Sequence, residues 1–142
     1  MTWFKKYTLE DLHNMDRDGG MVSYLGCKII EIGDDYLKGT LPVDERTKQP
    51  FGILHGGASC VLSETLGSIA GWMCIDPDKN RAVGLEINAN HVRSVTEGIV
   101  TGTCRPLHIG RRTHVWQTDI HNEAGKLVCT SRLTVAIIDI PS

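Results

Sequence analysis

The spacing of apolar residues along the chain changes period more than once, and each change marks an element. Thr8 can cap a short helix over Leu9 to Met15, with Asp11 in its first turn suiting the helix dipole. Asp18-Gly19-Gly20 breaks that helix. Met21 to Val43 reads as two strands joined at Gly33-Asp34-Asp35. After Pro42 a polar loop runs from Asp44 to Gly52 and contains the pre-proline residue Gln49. From Gly57 to Met73 the period becomes helical, with Ala58, Val61, Leu62, Thr65, Leu66, Ile69 and Met73 on one face. After Pro77 the chain becomes rich in Val, Ile, Thr and Leu. The pattern predicts strands over Arg81 to Thr96, Gly98 to Cys104, Thr113 to His121 and Lys126 to Ile138. Asn122-Glu123-Ala124-Gly125 is the hairpin turn between the last two. One long helix among strands predicts an α+β layer arrangement, an antiparallel sheet wrapped around that helix. No repeat or linker divides the chain, so one domain is expected over residues 1–142.

Composition adds limits. The charged fraction is 23% and the net charge −2, which gives no reason to expect nucleic acid or an anionic membrane surface as a partner. A phosphate-bearing ligand would need a local basic cluster. The five cysteines, Cys27, Cys60, Cys74, Cys104 and Cys129, form no CxxC pair and read as small apolar fillers in a reducing compartment. The N-terminal MTWFKKYTLEDL lacks the apolar run of a signal peptide, and no stretch approaches the ~18 apolar residues of a membrane span. A cytoplasmic location is expected.

The long helix carries one charge. At 100° per residue, Glu64 lies opposite the centre of the apolar face and has Gly57, Cys60, Gly67, Ser68 and Gly71 around it. Surface helices ordinarily carry several charged residues on their outer face. Each interior glycine also weakens a helix by ~1 kcal/mol relative to alanine. A solvated glutamate is one reading. The small neighbours favour another, in which this second face meets a subunit or a ligand pressed against the backbone. A carboxylate in such a groove would have a raised pKa or be held ionised by hydrogen bonds, and either state suits a base or a nucleophile.

Immediately upstream runs Gln49-Pro50-Phe51-Gly52-Ile53-Leu54-His55-Gly56-Gly57. The two glycines open a helix, where unpaired N–H groups point outward and can hold an oxyanion. His55 and Gln49 beside them could orient a carbonyl by donating hydrogen bonds. A structural loop histidine is the bland alternative for His55. Other chemistries fare worse: the chain has no GxSxG elbow, no metal-ligand spacing and no Gly-rich phosphate loop, so no metal or cofactor is expected. Cys60 is a poor nucleophile, because the nearby carboxylate would raise its thiol pKa.

The run HGGASCVLSETLGSIAGWM resembles the helix of hotdog-fold acyl-CoA thioesterases, in the subgroup related to aryl-CoA and phenylacetate-pathway enzymes. The likeness continues through PVDERTKQPFGILHGGAS, VGLEINANHVRS and PLHIGRRTHVWQ. It implies a hotdog fold, edge-to-edge dimers that associate into a homotetramer, and active sites formed between subunits. His55 and Gly56 match residues that position and polarise the thioester carbonyl, with Gly56 N–H as oxyanion donor and Gln49 at the carbonyl. Glu64 from the facing subunit matches the catalytic carboxylate, and Ser68 a residue that orients the attacking water. Val83, Asn90, His91, Val92 and Arg93, with Leu107, His108, Ile109, Gly110, Arg111 and Arg112, match stretches lining the coenzyme A tunnel. The arginines there would supply the local positive charge. Met15, Val22, Phe51, Leu54 and Trp72 could shape an acyl pocket. The implied substrate is an aromatic acyl-CoA, a dihydroxynaphthoyl thioester first; a misloaded aryl carrier protein is the alternative. Acyl-CoA sensing and dehydration are the non-hydrolytic possibilities for this fold.

Overall fold

The computed structural model describes residues 2–142, so residue 1 of the expected domain lies outside it. Thr8 caps α1 (Leu9–Asn14): its side chain accepts from Asp11 N–H, and the Asp11 carboxylate accepts from Thr8 N–H. The next segment departs from expectation. Met21–Leu25 is a single-turn helix, α2, and not the start of a strand. Gly26, at φ 80°, takes the left-handed conformation that ends it, and Cys27 N–H closes on Val22 C=O at 3.0 Å. Five residues of mixed polarity fit one helical turn and one short strand equally well, and the flanking glycines decide between them.

The strands then follow: β1 (Lys28–Ile32), β2 (Leu37–Pro42), β3 (Asn80–His91), β4 (Ile99–Ile109), β5 (Thr113–His121) and β6 (Leu127–Asp139). The long helix α3 (Gly56–Met73) lies between β2 and β3 in the sequence. All neighbouring strands are antiparallel, in the order β1-β2-β4-β5-β6-β3, and the sheet stays open. α3 packs against β2, β3, β4, β5 and β6, which is the hotdog arrangement. Leu62, Leu66, Ala70 and Met73 of the helix are buried with Leu37, Leu41, Val100, Trp116, Ile120, Leu133 and Val135 of the sheet. Trp3 stacks on Trp116 with ring centroids 6.2 Å apart, tying the N-terminal segment to this core.

The buried stripe of α3 differs from the one read on the helical wheel. Val61, Thr65 and Ile69 are only half-buried, whereas Ser59, Ser63, Gly67 and Gly71 are buried. A Cβ at Gly67 would lie 2.6 Å from Leu133 Cδ2, and one at Gly71 would lie 3.3 Å from Val135 Cγ1. These two glycines therefore let the helix approach its own sheet, and neither needs a subunit or ligand to explain it. Gly67→Val should lower stability by about 1–3 kcal/mol through overpacking against Leu133, read as a fall in denaturation midpoint at unchanged m-value.

Two strands, β3 and β4, carry irregularities. β4 runs on to Ile109, beyond the Cys104 expected, although it contains Pro106. β2 stops pairing at Leu37↔Cys104, so Pro106 faces no lost partner there, and a bulge follows between Pro106 and His108. β3 ends at His91 instead of Thr96, because Val92 N–H and Arg93 N–H both turn onto Val128 C=O. A bulge between Gly84 and Glu86 shifts its register against β6. Ala82 and Gly84 face the helix before the bulge, Ile87 and Ala89 after it. Without the extra residue, Gly84 and His91, seven positions apart, would point to opposite faces of the sheet.

Candidate active site

The helix start is built by its own cap. His55 is the N-cap of α3, and its Nδ1 accepts from Gly57 N–H at 2.7 Å. An accepting Nδ1 leaves the neutral ring's proton on Nε2, so this exposed histidine can donate outward from Nε2. Gly56 N–H has no acceptor among the described residues, as the first residue of a helix allows. Gln49 is oriented in the same way. Its Oε1 accepts from Phe51 N–H, which leaves the amide Nε2 as a free donor. The loop is pinned by Gln49 N–H to Ile53 C=O (2.9 Å) and by His55 N–H to Thr47 C=O (2.8 Å). Gln49, Leu54, Gly56, Ser59, His91 and Arg93 line a cleft of about 390 Å³. His91, from the end of β3, lies so close to Gly56 that a Cβ there would be 2.8 Å from its Nε2. Gly56 N–H, His55 Nε2–H and Gln49 Nε2–H are thus unengaged donors, among the described residues, in the segment that opens α3, an arrangement suited to an anionic or polarised oxygen.

Glu64 lies two turns further along. Its side chain reaches β3, where a Cβ at Gly84 would lie 2.5 Å from Oε1. Oε2 is shielded from solvent and has no hydrogen-bond partner among the described residues. Burial raises the Glu64 carboxyl pKa above the usual value, with no charged neighbour contributing. The Cys60 thiol, one turn earlier, is raised by burial and then by Glu64, so it is a poor nucleophile here. Ser68 is half-buried one turn beyond Glu64.

The eight residues from Gly56 to Glu64 span about 12 Å of helix axis. The donor cluster and the carboxylate therefore form two separate groups along one chain. The coenzyme A stretches divide in the same way. Asn90, His91, Val92 and Arg93 stand at the Gly56 end of β3. Val83 stands at the other end, aligned through Ala136 with Thr113, next to the turn that Gly110 N–H closes on Thr113 C=O. Leu107 to Ile109 end β4, and Arg111 and Arg112 are exposed, with Arg112 3.3 Å from Asp139.

The residues expected to form an acyl pocket are scattered. Met15 and Phe51 are exposed, Trp72 packs on Tyr7, and Leu54 belongs to the core beside the cleft. Val22 instead lines a separate cavity of about 470 Å³ between α1, α2, β1 and α3, with Leu62, Thr65, Leu66 and Ile69. Gly84 was overlooked in the sequence, although a lone glycine inside a strand pattern signals a bulge or close approach.

Residues 51–129 match the thioesterase superfamily. The chain belongs to that superfamily, and it is a thioester hydrolase of hotdog fold. It is 56% identical over 138 residues to the 1,4-dihydroxy-2-naphthoyl-CoA hydrolase of Escherichia coli (strain K12), covering 97% of this chain and 100% of that one. It is also 50% identical over 138 residues to the proofreading thioesterase EntH of Cronobacter sakazakii, covering 97% and 99% of the two chains. Among solved structures, a mutant thioesterase from Pseudomonas aeruginosa superposes with a TM-score of 0.95 at 41% identity, covering 99% of this chain and 100% of that one.

Proposed function

We propose that this protein hydrolyses aromatic acyl-CoA thioesters, 1,4-dihydroxy-2-naphthoyl-CoA first, at sites that two copies of the chain complete. The observation that carries the reading is the pair of half-sites 12 Å apart along one helix. One is a cluster of free donors at Gly56, His55 and Gln49; the other is the shielded, partnerless carboxylate of Glu64. An antiparallel pairing of two copies brings the donors of one against the carboxylate of the other. β3 suits such pairing: it is a twelve-residue edge strand with Val83 and Leu85 exposed.

In the mechanism, Gly56 N–H, His55 Nε2–H and Gln49 Nε2–H polarise the thioester carbonyl and hold the oxyanion. Glu64 of the second copy then acts by one of two routes. Its oxygen attacks the carbonyl carbon, expelling the CoA thiolate and leaving a mixed anhydride that water cleaves. Alternatively it takes a proton from a water, oriented by Ser68, whose oxygen attacks instead. Either route gives free acid and CoA thiol. Arg93, Arg111 and Arg112 attract the nucleotide phosphates, with Val83, Asn90, His91, Val92 and the 107–110 segment along the pantetheine path. The whole of residues 1–142 is one hotdog unit in this reading, cytoplasmic and tetrameric, serving menaquinone synthesis.

The 50% identity to a proofreading thioesterase favours a second reading, removal of misloaded acyl groups from an aryl carrier protein. Steady-state thiol release from 1,4-dihydroxy-2-naphthoyl-CoA, benzoyl-CoA, a long-chain acyl-CoA and a benzoyl-loaded aryl carrier protein separates the two. A kcat/KM at least about tenfold higher for the naphthoyl thioester, worth ~1.4 kcal/mol, supports the first reading. Preference for the carrier protein supports the second, and no turnover of any of them removes both. The Arg111→Ala, Arg112→Ala double variant should raise KM for the CoA substrates roughly tenfold and leave the carrier-protein reaction unchanged.

A further inference from the structure

We infer that Gly84 is a positioning residue for Glu64: the missing side chain at this point of β3 is the slot in which the carboxylate sits. The inference rests on Glu64 being the catalytic carboxylate. A Cβ at Gly84 would lie 2.5 Å from Oε1 and 3.4 Å from Cδ of Glu64, so a methyl group and the observed carboxylate cannot coexist. Backbone conformation does not call for glycine here. Gly84 is not among the glycines with positive φ, and it is still aligned with Val135 on the near side of the bulge. Glycine inside a strand also weakens it, so space is the reason left.

The bulge completes the device. It places Gly84 under Glu64 while keeping His91 beside Gly56, so a single strand serves both half-sites. Leu85, the extra residue, is pushed outward and exposed. Among the described residues, the three atoms nearest to a Cβ at Gly84 all belong to Glu64. Cys60 is the titratable neighbour on α3, His114 of β5 faces the helix further on at Gly71, and Glu86 and Arg132 lie on the outer side of the sheet. Glu64 is therefore aimed by shape alone, without a hydrogen bond to Oε2 to hold it.

The test is a double-mutant cycle in the full-length protein, with thiol release from an aromatic acyl-CoA as readout. Gly84→Ala should lower kcat roughly 100-fold, the scale of an ångström-sized misplacement, with KM within about threefold. In a Glu64→Gln background the same substitution should change the residual kcat by less than about twofold, because there is no carboxylate left to misplace. A merely structural role would lower both backgrounds equally and overturn the inference, as would wild-type kcat in Gly84→Ala. If Glu64→Gln itself keeps wild-type turnover, the catalytic reading of Glu64 fails first and by a separate result. Should Gly84→Ala destabilise the fold, Glu64→Ala in the same chain empties the slot and should restore the melting temperature. No restoration would mean that the clash lies elsewhere and would overturn the inference.

Discussion

Glu64→Gln reduces kcat for aromatic acyl-CoA by roughly 1,000-fold and leaves KM within about twofold, on the scale of a lost general base or nucleophile. The amide has the shape of the carboxyl group but can neither attack a carbonyl nor accept a proton from water. Binding groups are untouched, so substrate still docks. The pH dependence provides a second check. Burial raises the Glu64 pKa, so the wild-type acid limb of kcat should be displaced upward from the ordinary carboxylate value, with activity rising as the group ionises. The residual activity of the variant should lack that limb. Stability moves in the opposite sense. A raised folded-state pKa means that Glu64's favourable contribution is present below its unfolded value, about 4.3, and is lost as pH rises through the folded value. Once ionised, a carboxylate with one shielded and partnerless oxygen is a burden to the fold. Glu64→Gln should therefore melt at or above the wild-type temperature at pH 7, an advantage that fades in acid. A variant with near wild-type turnover would refute the assignment.

The second large effect is recovery of activity by mixing two inactive proteins. His55→Ala removes one carbonyl donor and the α3 cap, and should cost about 100-fold or more in kcat, on the scale of an oxyanion donor. Mixed and refolded together, Glu64→Gln and His55→Ala chains form hybrid pairs in which one site holds both defects and the other holds neither. Random pairing makes half of the dimers hybrids, so roughly one quarter of wild-type turnover should return. The 12 Å between Gly56 and Glu64 along one helix makes this the expected result. Recovery near zero, with mixed dimers demonstrated by differential tagging, would mean that the site lies within one chain.

Part of the candidate site's layout could be read from residue order, because its elements are local. Gln49, His55 and Gly56 fall within eight positions, and the cap, the free N–H and the oriented amide all follow from one loop running into one helix. Glu64 stood out as the lone charge of α3. A helical wheel ranks faces by side-chain character and cannot tell what they touch. Gly67 and Gly71 looked like a face for a partner, yet they press on Leu133 and Val135 of the same chain. Met21–Leu25 was misread for a related reason, since five residues carry too little periodicity to separate a turn of helix from a strand.

By itself, then, the sequence determined the α+β class, the long helix, most of the strands that follow one another along the chain and where the candidate donors fall at the start of that helix, all set by short-range periodicity and turn residues. Only the tertiary structure decided which strand lies under Glu64, and that a bulge after Gly84 puts two distant positions of β3 on the same face. Those facts depend on the register between β3 and β6 and on how closely a helix can approach a sheet. Both are set by contacts between residues some fifty positions apart, as Gly84 and Val135 are, and no local pattern encodes them.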